Sequence, residues 1–213
     1  MILLSTTYFG NIQYYSKLYC GKDVCIELYE NYTKQSYRNR CVILGANGTA
    51  ALSIPVKKDV RLKIPIRDVQ IDYDTDWQKQ HWRSIYSAYG SSPYFEYYDY
   101  LFEPLFKGRE KYLLDHNNRC METVFRCIGE TPELRYTESF IDDTPGILDY
   151  RDCISPKEAK HKEDPYFRDT EYYQVFNDRY GFVPNLSVLD LLFCEGNHTL
   201  SFLKKSYVTN EQE

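Results

Sequence analysis

The stretch YTKQSYRNRC, Tyr32 to Cys41, gathers Lys34, Arg38 and Arg40 just ahead of the apolar run Val42-Ile43-Leu44. Arg38 and Arg40 alternate across Asn39. In an extended segment both guanidiniums would leave one face together while Asn39 leaves the other. Such a pair could clamp a phosphate or carboxylate through paired hydrogen bonds, with Lys34 adding a point charge and Tyr37 a wall. The plainer alternative is two exposed arginines neutralising Glu27 and Glu30. Cys41 follows the arginines directly, and cationic neighbours would favour a thiolate nucleophile. The alternative is a small residue opening a strand.

His81 lies one turn from Trp77 and Ile85 on an apolar helical face. Histidine suits general base work near neutral pH, although a lone histidine on such a face is commonly a satisfied core residue. His116, His161 and His198 have no partner at metal-ligand spacing, so no metal site is expected. Asp68, Asp72, Asp74 and Asp76 could hold Mg²⁺ beside a phosphate, but a solvated loop with helix-capping acids explains them equally. Glycine-rich phosphate loops, dinucleotide fingerprints and nucleophile elbows do not occur.

The elements that must position these residues read as follows. Ile2-Leu3-Leu4 suits a short buried strand. Ile12, Tyr15 and Leu18-Tyr19 recur at helical spacing, and Val24, Ile26 and Leu28 alternate as a strand. This is a βαβ-like opening. Cys41–Leu44 and Leu52–Val56 flank Asn47-Gly48, which reads as a hairpin with positive φ at both central positions. Pro55 sets the second strand at an edge or at its own end. Leu62, Ile64 and Ile66 alternate again, with Val69 and Ile71 extending the sheet. Asp76 could cap a helix ending near Gly90. Ser92-Pro93 reads as N-cap and N1 of a second helix, and a third spans about 111–128. Residues 130–170, punctuated by Pro132, Pro145, Pro156 and Pro165, read as an irregular, lid-like connection. Ser187–Asp190 forms a capping box for a C-terminal helix, and Asn197 begins a last one. The expectation is one domain over 1–213. Its class is α/β, with α+β open: a mixed sheet with a hairpin, flanked by a helical middle and C-terminal helices.

Composition narrows the function. Apolar residues are 43% and charged residues 27% of 213, which excludes a disordered or fibrous chain. The net charge of −5 argues against a nucleic-acid binder. No apolar run approaches transmembrane length, and MILLSTTYFG lacks the cationic start of a signal peptide, so a cytoplasmic protein is expected. The cysteines number 7, an odd count without Cys-x-x-Cys, which speaks against disulfides and zinc ribbons. The 22 tyrosines could be stacking platforms for sugars or bases. Their dispersion favours a tyrosine-built core instead.

Several stretches in order carry a resemblance. Tyr8-Phe9 with Tyr14-Tyr15 come first, then Lys34-Gln-Ser-Tyr37-Arg-Asn39-Arg40 and Leu52-Ser-Ile-Pro-Val56. Trp77-Gln-Lys-Gln-His-Trp82 and Ala88-Tyr89 with Ser92-Pro-Tyr-Phe-Glu96 follow, and Pro184-Asn-Leu-Ser-Val-Leu-Asp-Leu-Leu192 comes last. Together they resemble the WbqC-like family. The resemblance implies bacterial cell-surface polysaccharide biosynthesis, O-antigen especially, on nucleotide-linked sugars or glycan precursors. A transferase of a small acyl or aminoacyl group to an amino sugar is the expectation that follows. A non-catalytic binding or scaffold protein of such a complex is the alternative. The resemblance overlaps the cation cluster at Lys34, Asn39 and Arg40, so substrate contact is expected at Lys34, Tyr37, Arg38, Asn39 and Arg40; in the transferase reading His81 is the expected proton carrier, and the cofactor stays open. Where many members have a His-Gln-Pro stretch, this chain has Leu4-Ser5-Thr6. Where they have two adjacent acids, it has Leu28-Tyr29 with Glu27 and Glu30 nearby. A glycine-rich segment before Pro184 is also lacking, as in a shortened branch.

Overall fold

In the computed structural model, which describes residues 1–58, 63–142, 144–157 and 163–208, the chain opens as a βαβ unit. Strand β1 (Ile2–Ser5) is buried throughout, as is β2 (Val24–Glu27). Burial on both faces is why these strands are near-continuous apolar runs. Helix α1 (Ile12–Cys20) joins them, its N-cap Asn11 accepting from the Tyr14 amide at 3.0 Å. β1 and β2 pair in parallel, Ile2 opposite Val24 through Ser5 opposite Glu27.

Two further parallel strands come from the stretch expected to be irregular. β5 (Leu134–Tyr136) adds to β2 and β6 (Leu148–Asp149) adds to β1, giving the order β5-β2-β1-β6. Neither strand is long enough to show a period, so the sequence pattern misses both. β2 and β5 lie on one side of β1 and β6 on the other. A crevice therefore opens beyond the carboxyl ends of β1 and β6, the usual place for a ligand in such sheets.

The hairpin β3 (Arg40–Gly45) and β4 (Gly48–Ser53) forms its own antiparallel sheet. The α/β class holds, with parallel and antiparallel pairs in separate sheets rather than one. In its turn only Gly48 takes positive φ, 98°. Ile66–Asp68 is a 3-10 turn entered from Pro65, not a strand, and Ile71 meets Val56 through an isolated bridge. Leu62 lies outside the described residues. Ile66, Val69 and Ile71 are all buried, so the alternation recorded burial rather than a ladder.

Helices α2 (Trp77–Tyr89), α3 (Phe95–Phe102) and α4 (Leu113–Ile128) make the middle, and α5 (Asn177–Tyr180), α6 (Val188–Glu195) and α7 (Thr199–Ser206) the end. Asp76 occupies the N-cap of α2 without a capping bond. Ser92 donates to the Tyr89 carbonyl at 2.6 Å, closing α2, and α3 starts after Tyr94. Ser187 caps α6 by accepting from the Leu189 amide, while Asp190 turns to Tyr172 instead of closing a capping box. Phe9, Phe95 and Phe102 meet Phe193 or one another with ring centroids 5.0–5.8 Å apart, fixing α3 and α6 against the loop after β1. Tyr8, Tyr14, Tyr15 and Tyr89 are fully buried, in line with a tyrosine-built core.

Candidate functional site

Two acids end the second strand and begin the site. Glu27 closes β2, and Glu30 stands one short turn further on; both are buried. Glu27 accepts from the Tyr29 amide and the Thr137 hydroxyl at 2.8 Å each, and from the Ile141 amide at 2.9 Å. Nη1 of Arg151 approaches it at 3.5 Å. Arg151 lies two residues past β6. Its Nε donates to both Asp149 oxygens at 3.0 Å and its Nη1 to the Ile141 carbonyl at 2.8 Å. Arg38 meets Glu30 fork to fork. Nε donates to Oε1 at 2.8 Å, Nη2 donates to Oε2, and Nη2 also reaches the Arg151 carbonyl at 3.2 Å. The two ion pairs are thus joined, one from the first fifth of the chain and one from beyond the last strand.

They wall a cavity of about 390 Å³ lined by Glu30, Thr33, Arg38, Phe140, Asp149, Arg151 and Asp152, among others. Phe140 is half exposed, and the Arg151 guanidinium sits 5.1 Å from its ring centre. The lining carries two guanidiniums and three carboxylates. Chemically it suits a ligand bearing both signs of charge, the arginines matching a phosphate or carboxylate and the acids an amine.

The five residues expected to hold substrate are not gathered here as a group. Arg38 lines the cavity. Arg40 instead donates from Nε to the Ser53 hydroxyl at 2.9 Å, at the base of the hairpin. The two guanidiniums diverge because Arg38 sits in a turn ahead of β3, where strand alternation does not apply. Lys34 is exposed on that turn, next to Gln35 with φ 56°. Tyr37 is buried, its carbonyl accepting from the Tyr8 amide at 2.9 Å, and Asn39 donates to the Ile54 carbonyl at 2.8 Å. Both hold the backbone that presents Arg38.

His81 sits elsewhere, in the aromatic core. Its Nδ1 is 3.0 Å from the Tyr8 hydroxyl, and its ring lies 5.1 Å from that of Trp77. Burial, with His116 as neighbour, lowers its pKa to about 4. Burial does the same to His116. Both imidazoles are neutral at pH 7. His81 and Arg40 meet the same residue, Ser53, the first through main chain and the second through side chain. Cys41 is fully buried, and burial pushes its thiol well above the usual range, opposite to what a nucleophile needs. Among the described residues no group of three or more His, Cys, Asp or Glu side chains could hold a metal ion. His161 lies outside them.

Arg151, Asp149 and Phe140 escaped the sequence reading, because they sit in the stretch taken for a connection. One signal was available. Ile147-Leu148-Asp149 and Cys25-Ile26-Glu27 both run from apolar residues into a terminal acid, as buried parallel strands do where they reach a site.

A family model described as the WbqC-like protein family matches residues 6–149, more than half of the chain, from the loop after β1 to the end of β6. Arg151 and the Pro184–Leu192 stretch lie beyond the match. The chain is 26% identical over 194 residues to the uncharacterized protein Rv1507c of Mycobacterium tuberculosis, covering 81% of this chain and 84% of that one. No solved structure matches. No helix among the described residues is long and apolar enough to cross a membrane. The matched span carries α1, β2, the hairpin and, of the cavity's acids, Glu30 and Asp149: the chain belongs to the WbqC-like protein family.

Proposed function

We propose that the protein is a transferase of cell-surface polysaccharide biosynthesis, of the O-antigen kind, adding a small acyl or aminoacyl group to an amino sugar or nucleotide sugar. Family membership supports the pathway. The observation that carries the chemistry is the mixed lining of the cavity, two arginines and three carboxylates at the carboxyl ends of parallel strands. In this reading Arg38 and Arg151 hold the phosphate or carboxylate handle of the substrate, and Lys34, exposed on the turn before them, draws it in. Phe140 flanks the sugar. The substrate amine attacks the donor carbonyl, a C–N bond forms, and the donor's leaving group departs with the bonding electrons. Asp152, the exposed carboxylate of the lining, takes the proton from the amine. Tyr37, Asn39 and Arg40 fix the turn and the hairpin base. His81, neutral and held by Tyr8, positions the loop after β1. The protein works in the cytoplasm on soluble precursors.

Incubation with UDP- and dTDP-amino sugars and acyl or aminoacyl donors, followed by mass spectrometry, is expected to give the acylated sugar. Arg151→Lys is expected to lower the rate at least tenfold and His81→Gln to leave most of it. No product over a broad panel would overturn the transferase reading.

The buried thiol of Cys41 and the seclusion of His81 favour a second reading, a precursor-binding subunit without turnover. Thermal stabilisation by a nucleotide sugar, lost in Arg151→Lys and never accompanied by product, would select it.

A further inference from the structure

The three most exposed large apolar side chains among the described residues are Tyr97 at 68%, Tyr100 at 66% and Tyr86 at 60%. All stand on α2 or α3, and none lines the cavity. Tyr94, Tyr97 and Tyr100 repeat every three residues, so they climb one side of α3 in steps of about 4.5 Å. The rings of Tyr94 and Tyr97 are 6.2 Å apart. The inward side of the same helix is filled by Phe95 and Phe102, which are buried, and Tyr94 is half-buried against Gly196, so Tyr97 and Tyr100 are the rings that the core does not need. Tyr86 stands edge-on to Phe95 from α2, 5.5 Å away, and widens the surface.

The charge between the rings is of one sign. From Tyr94 to Glu103 the chain has Glu96, Asp99 and Glu103 and no cation. Glu103 is engaged by Lys107 at 2.9 Å and Asp99 by the Tyr100 amide, whereas Glu96 is exposed. Exposed tyrosine faces attract ammonium groups, and a neighbouring carboxylate adds to the attraction. The large exposed side chains of this face are tyrosines and none is aliphatic, so it offers little of the apolar surface that a protein partner would bury. Flat rings with hydroxyl tips, interleaved with acids, fit a chain of rings that offers C–H faces, hydroxyls and ammonium groups in succession.

We propose that the outer face of α3, built on Tyr94, Tyr97, Tyr100 and Glu96, binds an oligosaccharide that carries free amino groups. The surface is separate from the cavity and does not depend on the transferase reading. It would keep an amine-bearing glycan beside the protein whether or not the cavity turns anything over.

The probes are the β-linked glucosamine tetramer, its fully N-acetylated form and tetralysine, titrated into the full chain by calorimetry at low salt. The expected result is saturable binding of the glucosamine tetramer, at least fivefold tighter than either other probe. The double variant Tyr97→Ala, Tyr100→Ala should weaken it tenfold or more with an unchanged melting temperature, since both rings are exposed. Glu96→Gln should weaken it several-fold. Arg151→Lys should leave it intact, which separates this surface from the cavity. Absence of saturable sugar binding would overturn the proposal. So would equal binding of tetralysine, which would mark a surface for basic protein. A dimer in light scattering that the double variant splits would mark a contact between copies and would overturn it too.

Discussion

Arg38 and Glu30 show how a residue's surroundings decide its chemistry. Both side chains are more than nine-tenths buried, and each is the other's main partner. Removing one of a buried pair strands the other charge, a loss of about 3–5 kcal/mol. Arg38→Ala is therefore expected to fall in that range in urea denaturation. The double variant Arg38→Met, Glu30→Leu should recover most of it, because no unpaired charge remains. Equal losses in the single and double variants would show that a stranded charge is not the source of the cost and would contradict this account. The two histidines set a second dependence. Each has its pKa lowered from an ordinary 6.5 to about 4, so the unfolded chain takes up protons that the folded chain refuses. Their contribution is complete above pH 6.5 and is lost as pH falls toward 4. At pH 5 the loss is about 2 kcal/mol for each ring. Asp190 has the opposite sign: burial raises its carboxyl pKa, so acidification relieves a cost there. Urea melts at pH 7 and pH 5, repeated on His81→Gln and His116→Gln, isolate the histidines. A slope unchanged by either substitution would contradict the assignment.

At the scale of elements, the contact between α3 and α6 depends on one glycine. Gly196 ends α6 with φ 55°, and a Cβ there would run into the Tyr94 ring. Gly196→Ala is expected to cost about 1–3 kcal/mol by overpacking and strain together. Gly146→Ala, also at positive φ but in open space, should carry the backbone strain alone, about 1 kcal/mol. Chemical denaturation compares the two, and equal effects would remove the packing component. Elements differ in how legible they were. The βαβ opening, the hairpin and α4 with Gly129 behind it could be read, because each is long enough for burial to imprint a period and each ends on a residue that terminates it. β5 and β6 could not, since three and two residues carry no period and what defines them is pairing with β2 and β1. That gap hid half of the site. Arg38 was legible as a cation in the right place and Glu30 as an acid that could neutralise it, while the burial of that pair and its junction with Arg151 follow from chain crossings that no local spacing records.

The whole molecule is closed by a cation as well. Lys17, on α1, is fully buried and pairs with Asp164 at 2.8 Å while donating to the Tyr166 carbonyl at 2.6 Å. The rings of Tyr150, Tyr166 and Tyr207 surround its ammonium at 4.9–5.8 Å. Asp164 also accepts from Gln13 and Tyr150. This cluster binds the segment around Asp164 and the end of α7 onto the helix that opens the chain. It backs the cavity too, through Tyr150 beside Arg151. Lys17→Met is expected to destabilise the protein by about 3–5 kcal/mol and to raise amide exchange from Asp164 to Phe167 before the rest of the chain opens. Uniform exchange across the molecule would refute a local latch. The cavity's position, framed by the sheet, the turn before the hairpin and this latch, is what the functional account relies on. The most direct test is a calorimetric titration of UDP-amino sugars against the wild-type chain and Arg151→Lys. The account predicts saturable binding that requires the sugar's free amine and drops at least tenfold in the variant. Binding that ignores the amine and survives the substitution unchanged would contradict it.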